Sequence, residues 1–480
     1  MKSNRAEKMA KNVVLFFLAS FGTKFLSFFL VPFYTSLLTT EEYGTADLLN
    51  TIVSLILPML MLDISDAIMY FSFQSDNTED KKQPFKFGMQ ILKVSGIILL
   101  IILCGLSFIV NDTNMTYYCI YIFFYYIASA FNLNMLAYMR ACDYVNIIVT
   151  SSIITSAVSL GLNVILILVL QLGIWGLLIS TVAGVLAGNI YCCLKVNYWE
   201  IKKSAFSLTK EKKKEMLRYS IPLIFTGLAW WANSSLDRFF ISSFCGMDEN
   251  GLYAVANKIP MVLTAVHSIV YQAMQLSVFS EIKSDDSKNY LTKLYNIYNF
   301  IMVAACSAII FLDKPLAQFL FKGDYYVAWK YAPALVISTV LFSVAGYITI
   351  VAAVLNNTKT IAIATISGAI INVVLNATLI PHFQLYGAVI ATIVGYFVIW
   401  FILIIKAEKT LEVSFSKTKS ILMYVLLIIQ WGILLSGKYV ILGELVIVAV
   451  IATLNMSTIR DIARLGIKIV KNIVAKIKKR

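Results

Sequence analysis

Residues 13–38, VVLFFLASFGTKFLSFFLVPFYTSLL, and residues 46–72, ADLLNTIVSLILPMLMLDISDAIMYFS, are two apolar runs separated by the polar stretch TTEEYG at 39–44. A helix rises about 1.5 Å per residue, so about 25 residues cross a hydrocarbon core of roughly 30 Å. The two runs therefore predict a pair of membrane-spanning helices with the polar stretch at the tip. Lys24 falls near the middle of the first helix.

A lysine at mid-membrane depth costs roughly 2.5 to 3.5 kcal/mol on insertion scales. It needs a charged partner, a water-filled cavity or a functional role. Two interpretations of Lys24 stay open on the sequence alone: it binds a ligand, or it is neutralised by Asp63 or Asp66 in the second apolar run.

The whole chain shares this apolar character. Of its 480 residues, 59% are hydrophobic and 14% are charged, and the excess of apolar residues is spread along the length. This composition predicts an all-α polytopic membrane protein of about 14 transmembrane helices. The helices are expected near residues 13–38, 46–72, 87–110, 117–139, 147–170, 174–194, 219–243, 252–280, 294–312, 331–355, 361–380, 388–405, 420–435 and 440–456.

The basic residues predict the topology. Of the 40 Lys and Arg residues, 32 fall in segments on the side of the N-terminus, and the opposite loops hold only Lys314, Lys322, Lys330 and Lys438. Because cytoplasmic loops collect Lys and Arg, both termini are expected in the cytoplasm. The net charge of +14 is then a feature of topology that faces anionic lipids, and nucleic-acid binding is not expected.

The chain is expected to contain two related halves. The GLLISTVAG stretch at 176–184 parallels GAVIATIVG at 387–395, and Tyr43-Gly44 parallels Gly251-Leu252-Tyr253. Six helices separate the copies, which predicts a parallel repeat with its pseudo-twofold axis along the membrane normal and a central cavity between the lobes. The expected parts are a six-helix lobe at 1–194, a basic cytoplasmic linker at 195–218, a second six-helix lobe at 219–405, helices 13 and 14 at 406–456 and a basic amphipathic cytoplasmic tail at 457–480.

Catalysis has little support in the sequence. The two histidines, His267 and His382, have no ligand-spaced partners, and no metalloprotease, phosphate-loop or nucleophile-elbow motif occurs. The seven cysteines form no CxxC pair. We therefore expect no enzyme activity, no cofactor and no metal site.

Charged residues within the predicted helices are the candidate site. If Lys24, Arg238 and Lys258 face one cavity, that cavity is cationic and suits an anionic head group such as a diphosphate. Asp63, Asp66 and Asp237 are candidates for ion coupling or for simple charge pairing with these basic residues. Trp230 and Trp231 lie within a predicted helix, where either packing or stacking on a sugar would explain them.

The stretch LSFFLVPFYTSLLTTEEYGTAD at 26–47 resembles the start of the Wzx-type polysaccharide and O-antigen flippases of the multidrug/oligosaccharidyl-lipid/polysaccharide (MOP) exporter superfamily. The similarity continues through Asp66-Ala67, Asp237-Arg238-Phe239-Phe240, Gly251-Leu252-Tyr253-Ala254 and Gly323-Asp324-Tyr325-Tyr326.

This resemblance implies a flippase that moves undecaprenyl-diphosphate-linked oligosaccharides from the inner to the outer leaflet by alternating access. The implied location is the bacterial inner membrane, and the implied partners are the lipid-linked oligosaccharide, membrane lipids and the polymerase and chain-length proteins of the same pathway. It also implies binding of the lipid diphosphate by Lys24, Arg238 and Lys258. The alternatives are a MATE-like cation-coupled exporter of small molecules and a membrane glycosyltransferase or polymerase.

Overall fold

A computed structural model describes residues 28–74, 78–203, 208–281, 287–354, 357–411, 415–437, 439–462 and 464. These residues fold into helices joined by short connections, and no strand occurs among them. The all-α prediction is therefore confirmed. The chain divides into two compact units, Met1–Ala254 and Val255–Arg480.

The first unit contains α1 to α10 and most of α11. Their bounds are Val31–Leu37 (α1), Thr40–Leu60 (α2), Ile64–Gln74 (α3), Thr78–Val110 (α4), Thr113–Ala141 (α5), Val145–Asn163 (α6), Gly173–Lys195 (α7), Tyr198–Lys203 (α8), Lys210–Ser235 (α9), Asp237–Phe244 (α10) and Met247–Ala256 (α11). A π-helical turn, Val164–Val169, continues α6.

The second unit contains α12 to α19. Their bounds are Pro260–Glu281 (α12), Ser287–Phe311 (α13), Asp313–Leu320 (α14), Ala332–Val354 (α15), Thr358–Phe383 (α16), Leu385–Leu411 (α17), Lys417–Ser436 (α18) and Val440–Leu454 (α19), with a 3₁₀ segment at Gly323–Lys330. A last short helix, Met456–Ile462, is bent by 71° from α19. The rest of the expected amphipathic tail lies outside the described residues.

Ten helices of the described ranges are long and apolar enough to cross a membrane, or eleven if the bent pair at the C-terminal end counts as one span. The chain is thus a multi-pass membrane protein. The expected first helix, 13–38, lies largely outside the described residues, so a total of 14 is compatible with this number.

The tip of the first hairpin is the start of a helix. Thr39 and Glu42 form a capping box, in which Glu42 N–H donates to Thr39 Oγ1 (3.2 Å) and Thr39 N–H donates to Glu42 Oε2 (3.0 Å). The other oxygen of Glu42 accepts the N–H of Ile174 at 3.2 Å. One carboxylate therefore caps α2 and holds the start of α7 against it.

Three expected helices are each broken into two. The run 46–72 breaks between α2 and α3, where Leu62 and Asp63 have positive φ angles just after Pro58. The expected helix 219–243 breaks at Leu236 between α9 and α10, and the helix 252–280 breaks before Pro260, which begins α12. Proline cannot donate a helical hydrogen bond, so the break before Pro260 has a local cause.

Two other helices begin earlier than expected. Helix α4 begins at Thr78, nine residues before 87, and α9 begins at Lys210 within the linker, where Thr209 caps it. Hydropathy marks where a helix enters the hydrocarbon, whereas the hydrogen-bonded helix continues into the charged segment beyond. Within the linker, Tyr198–Lys203 also forms the short helix α8.

The glycines of the repeat have equivalent surroundings in the two units. A Cβ added to Gly176 would lie 3.1 Å from the carbonyl carbon of Leu166, and one added to Gly387 would lie 2.6 Å from that of Leu379. In both copies a glycine lets the second helix of a pair begin against the end of the first. This equivalence is evidence for the internal repeat in addition to the sequence pattern.

Candidate functional site

Arg238 is held by an acidic residue on another helix. Its Nε lies 2.6 Å from Oδ2 of Asp47 on α2, and its Nη1 donates to the carbonyl of Ser234 at 3.1 Å. The guanidinium carbon also lies 5.8 Å from the ring centre of Tyr253. The Arg238 and Asp47 side chains are 14% and 20% exposed, so the pair is largely shielded from solvent.

Asp237 and Arg238 are the first two residues of α10. Asp237 is buried and accepts a hydrogen bond from the hydroxyl of Tyr253 on α11, while Arg238 lies beside Asp47 on α2. Consecutive residues on a helix point in different directions. Asp237 therefore contacts α11, whereas Arg238 pairs with α2 and also lies beside Tyr253 of α11.

The two Tyr-Gly motifs of the repeat meet in the first unit. A Cβ on Gly44 would lie 2.0 Å from the carbonyl oxygen of Met247, and one on Gly251 would lie 2.0 Å from the carbonyl oxygen of Thr40. Asn250 donates to the Gly44 carbonyl at 2.7 Å. This close backbone contact between α2 and α11 lies beside the Arg238–Asp47 pair.

Trp231 contacts side chains of two neighbouring helices. Trp231 donates from Nε1 to Ser54 Oγ at 2.9 Å and contacts the edge of the Phe239 ring. Trp230 also interacts with other residues of the chain. A role in sugar stacking stays a prediction for both residues.

The remaining candidates are distributed between the two units. Asp63 lies in the connection between α2 and α3, and Asp66 lies on the first turn of α3 with the positive charge of Arg140 nearby. Lys258 lies in the second unit, in the turn before α12, where its N–H donates to the Val255 carbonyl at 2.9 Å. Lys24 lies outside the described residues, so a cavity shared by Lys24, Arg238 and Lys258 stays a prediction.

Sequence reasoning missed Asp47. The acidic candidates for charge pairing with the basic residues were Asp63, Asp66 and Asp237, whereas Arg238 pairs with Asp47. Asp47 is the second residue of the apolar run 46–72 and was not among the candidate charged residues. One signal could have identified Asp47. It lies one helical turn after Gly44, and the Tyr-Gly motif of Gly44 recurs at Gly251-Leu252-Tyr253, beside Arg238.

A mostly apolar cavity of about 710 Å³ lies among α4, α5, α7 and α8. Lys93 and Asn189 are the polar residues on its wall, and Trp199 of α8 lines one end. A cavity of this composition suits an acyl or prenyl chain better than a sugar.

Solved structures with similar folds are membrane transporters. The inward closed conformation of the lipid II flippase MurJ aligns with a TM-score of 0.68 at 15% identity, over 93% of this chain and 100% of that one. An inward-facing multidrug resistance MATE family transporter of the MOP superfamily aligns with a TM-score of 0.65 at 15% identity, over 81% and 94% of the two chains. The fold is therefore that of a MOP-type transporter.

The particular family follows from the sequence profile that matches residues 35–329, which is that of a polysaccharide biosynthesis protein. The chain belongs to this family. Similar curated proteins include an uncharacterized membrane protein of Methanocaldococcus jannaschii, 25% identical over 78% of this chain and 92% of that protein. A probable low-salt glycan biosynthesis flippase of Haloferax volcanii, Agl15, is 22% identical over 41% of this chain and 43% of that protein.

Proposed function

We propose that the protein is a flippase that moves undecaprenyl-diphosphate-linked oligosaccharides from the inner to the outer leaflet, for O-antigen, capsule or exopolysaccharide synthesis. The observation that carries this proposal is the family match over residues 35–329 on a chain with a MOP-type transporter fold. A transporter needs no catalytic group, in agreement with the absence of catalytic motifs in the sequence.

The proposed location is the bacterial inner membrane with both termini in the cytoplasm, which the distribution of Lys and Arg supports. The proposed ligand is the lipid diphosphate, bound by Lys24, Arg238 and Lys258. Because Asp47 occupies Nε of Arg238, a diphosphate at Arg238 would share the guanidinium with Asp47 or displace it. Polymerase and chain-length proteins of the same pathway are the proposed protein partners.

Transport by purified protein tests the proposal directly. In vesicles that contain the protein and a fluorescent undecaprenyl-diphosphate-linked oligosaccharide, we expect the labelled lipid to become accessible to a quencher on the opposite side. Lys24→Ala is expected to abolish this movement and Lys24→Arg to retain most of it, because the anion needs a positive charge at mid-membrane depth.

Lys322→Ala is the matched control, because Lys322 is an exposed lysine outside the candidate membrane spans and its removal should leave the movement intact. The proposal fails if the wild-type protein moves no lipid-linked oligosaccharide. Equal transport by the wild type and Lys24→Ala would remove Lys24 from the proposed binding site. Efflux of small cations without lipid movement would favour the MATE-like alternative.

A further inference from the structure

Two acidic residues are buried together at one end of the second unit. Asp313, the first residue of α14, is 0% exposed, and Glu444 on α19 is 1% exposed. The positive charges predict that this end of the unit faces outward. Neither residue belongs to the set proposed above for binding the lipid diphosphate.

The surroundings of Glu444 are hydrogen-bonded. Gln430 on α18 donates from Nε2 to Glu444 Oε2 and also to the carbonyl of Ser307 on α13 at 3.0 Å. Ser307 Oγ in turn donates to Gln430 Oε1 at 2.8 Å. An amide N–H pointing at one oxygen suits an ionised carboxylate, because an ionised carboxylate only accepts hydrogen bonds.

Asp313 has the opposite surroundings. Neither of its carboxyl oxygens, nor Oε1 of Glu444, has a hydrogen-bond partner in the part of the chain that the structure describes. A buried ionised carboxylate without partners is costly, and a second ionised carboxylate nearby adds repulsion. A proton on Asp313 removes both costs.

The charges around Asp313 come from few groups. Glu444 raises its pKa and Lys314 lowers it. The ammonium of Lys314 lies 4.8 Å from the ring centre of Trp329. Of the other basic residues nearby in the chain, Lys322 is exposed and Lys330 lies at the end of the 3₁₀ segment, and those of α13 and α18 lie at the opposite ends of these helices.

Burial and the charge of Glu444 together raise the pKa of Asp313 to about 8. This direction agrees with the geometry, since both the missing hydrogen bonds and the neighbouring carboxylate disfavour the ionised form.

We propose that Asp313 and Glu444 form a proton-binding site, in which Asp313 holds one proton while the outer ends of α13, α14, α18 and α19 are packed together. When this end opens to water, the O–H bond of the Asp313 carboxyl group breaks, the carboxylate keeps the electron pair and the proton passes to water. The use of this proton to drive lipid movement rests on the proposed flippase function.

Infrared spectroscopy of the purified protein tests proton binding without any transport assay. The absorption of a protonated carboxylic acid should disappear as the pH is raised through about 8, and Asp313→Asn should lack that change. Glu444→Gln should shift the midpoint of the Asp313 titration to lower pH, because it removes the neighbouring negative charge. Asp324→Asn is the matched control, since Asp324 is an exposed carboxylate in the same outer segment.

Two results would overturn the proton site. One is a wild-type spectrum that Asp313→Asn leaves unchanged at every pH. The other is loss of the protonated band on adding Na⁺, but not choline, at constant pH, which would make the site a sodium site.

Thermal unfolding in detergent provides a second measurement. The unfolded chain releases the Asp313 proton near an ordinary aspartate pKa of about 4, whereas the folded protein keeps it to about pH 8. Unfolding therefore releases a proton between these values, and stability falls as pH rises through this window. Asp313→Asn should reduce that fall, whereas Asp324→Asn should follow the wild type. A decline of the same size in Asp313→Asn and the wild type would contradict the proposal.

Vesicles connect the site to transport. A pH gradient should accelerate lipid movement by the wild type, and Asp313→Asn should lose the acceleration while keeping movement in the absence of a gradient. If the wild type moves no lipid but the infrared titration is as expected, the flippase proposal fails and the proton site stands. If the wild type moves lipid but Asp313 does not titrate, the proton site fails and the flippase proposal stands.

Discussion

Gly251→Ala is expected to lower the stability of the folded protein by roughly 3 kcal/mol, the upper end of the usual cost of overpacking. A Cβ at this position would lie 2.0 Å from the carbonyl oxygen of Thr40. Because the obstruction is backbone, no side-chain rotation can relieve it, and α2 and α11 would have to separate. Gly44→Ala should have a similar effect, since its Cβ would lie 2.0 Å from the carbonyl oxygen of Met247.

Thermal unfolding of the purified variants in detergent measures these effects. Gly161→Ala is the matched control, because Gly161 lies within α6 and a Cβ there would meet nothing within 4 Å. That variant should be as stable as the wild type or slightly more so, since alanine favours a helix over glycine by about 1 kcal/mol. Equal melting of Gly251→Ala and Gly161→Ala would show that α2 and α11 do not cross at these glycines.

Asp47→Asn is expected to cost about 3 kcal/mol, because removing one partner of a shielded ion pair leaves the other charge unpaired. The carboxylate accepts from Nε of Arg238 at 2.6 Å, and both side chains are mostly buried. Arg238→Gln should cost a similar amount. The double variant should lose less than the sum of the single variants, since neither charge is then left alone.

The surface pair between Glu79 and Lys82 provides the control. These side chains are 45% and 16% exposed and lie three residues apart on α4, so Glu79→Gln should change stability by less than about 1 kcal/mol. Additive effects of Asp47→Asn and Arg238→Gln would show that the two residues act independently.

A further variant of Arg238 addresses transport. Arg238→Lys keeps the positive charge but lacks the Nε–H that contacts Asp47. If Arg238 contacts both Asp47 and the diphosphate, Arg238→Lys should lower the rate of lipid movement strongly while lowering the unfolding temperature only slightly. A parallel loss of both would assign Arg238 to the packing of α2 and α10 alone.

Hydropathy and charge were enough to predict the class of structure. Runs of apolar residues long enough to cross a bilayer predicted an all-α membrane protein, and the described residues confirm it. The same signal did not locate the break at Leu62 and Asp63, because the residues on both sides of it are apolar and the average hydropathy over a window does not change there. It also placed the starts of α4 and α9 too late, since helical hydrogen bonds continue beyond the hydrocarbon.

The candidate site was predicted as a set of residue types rather than as a set of contacts. Arg238 was identified because a charge within an apolar run is costly wherever it lies. Its partner was not, because the choice among Asp47, Asp63, Asp66 and Asp237 depends on which helices are neighbours and how each is rotated. The buried pair of Asp313 and Glu444 was missed for the same reason, since its members lie 131 positions apart in the sequence.

The sequence by itself therefore determined the membrane class, the parallel repeat and the chemical character of the candidate residues, because these depend on composition and on the order of residues. Only the tertiary structure decided that the Tyr-Gly motifs of the repeat meet at Gly44 and Gly251, and that Asp47 pairs with Arg238. It also decided that Asp313 lies buried near Glu444 without a hydrogen-bond partner in the described ranges. These features arise from distances between residues far apart in the chain, which the packing of helices sets.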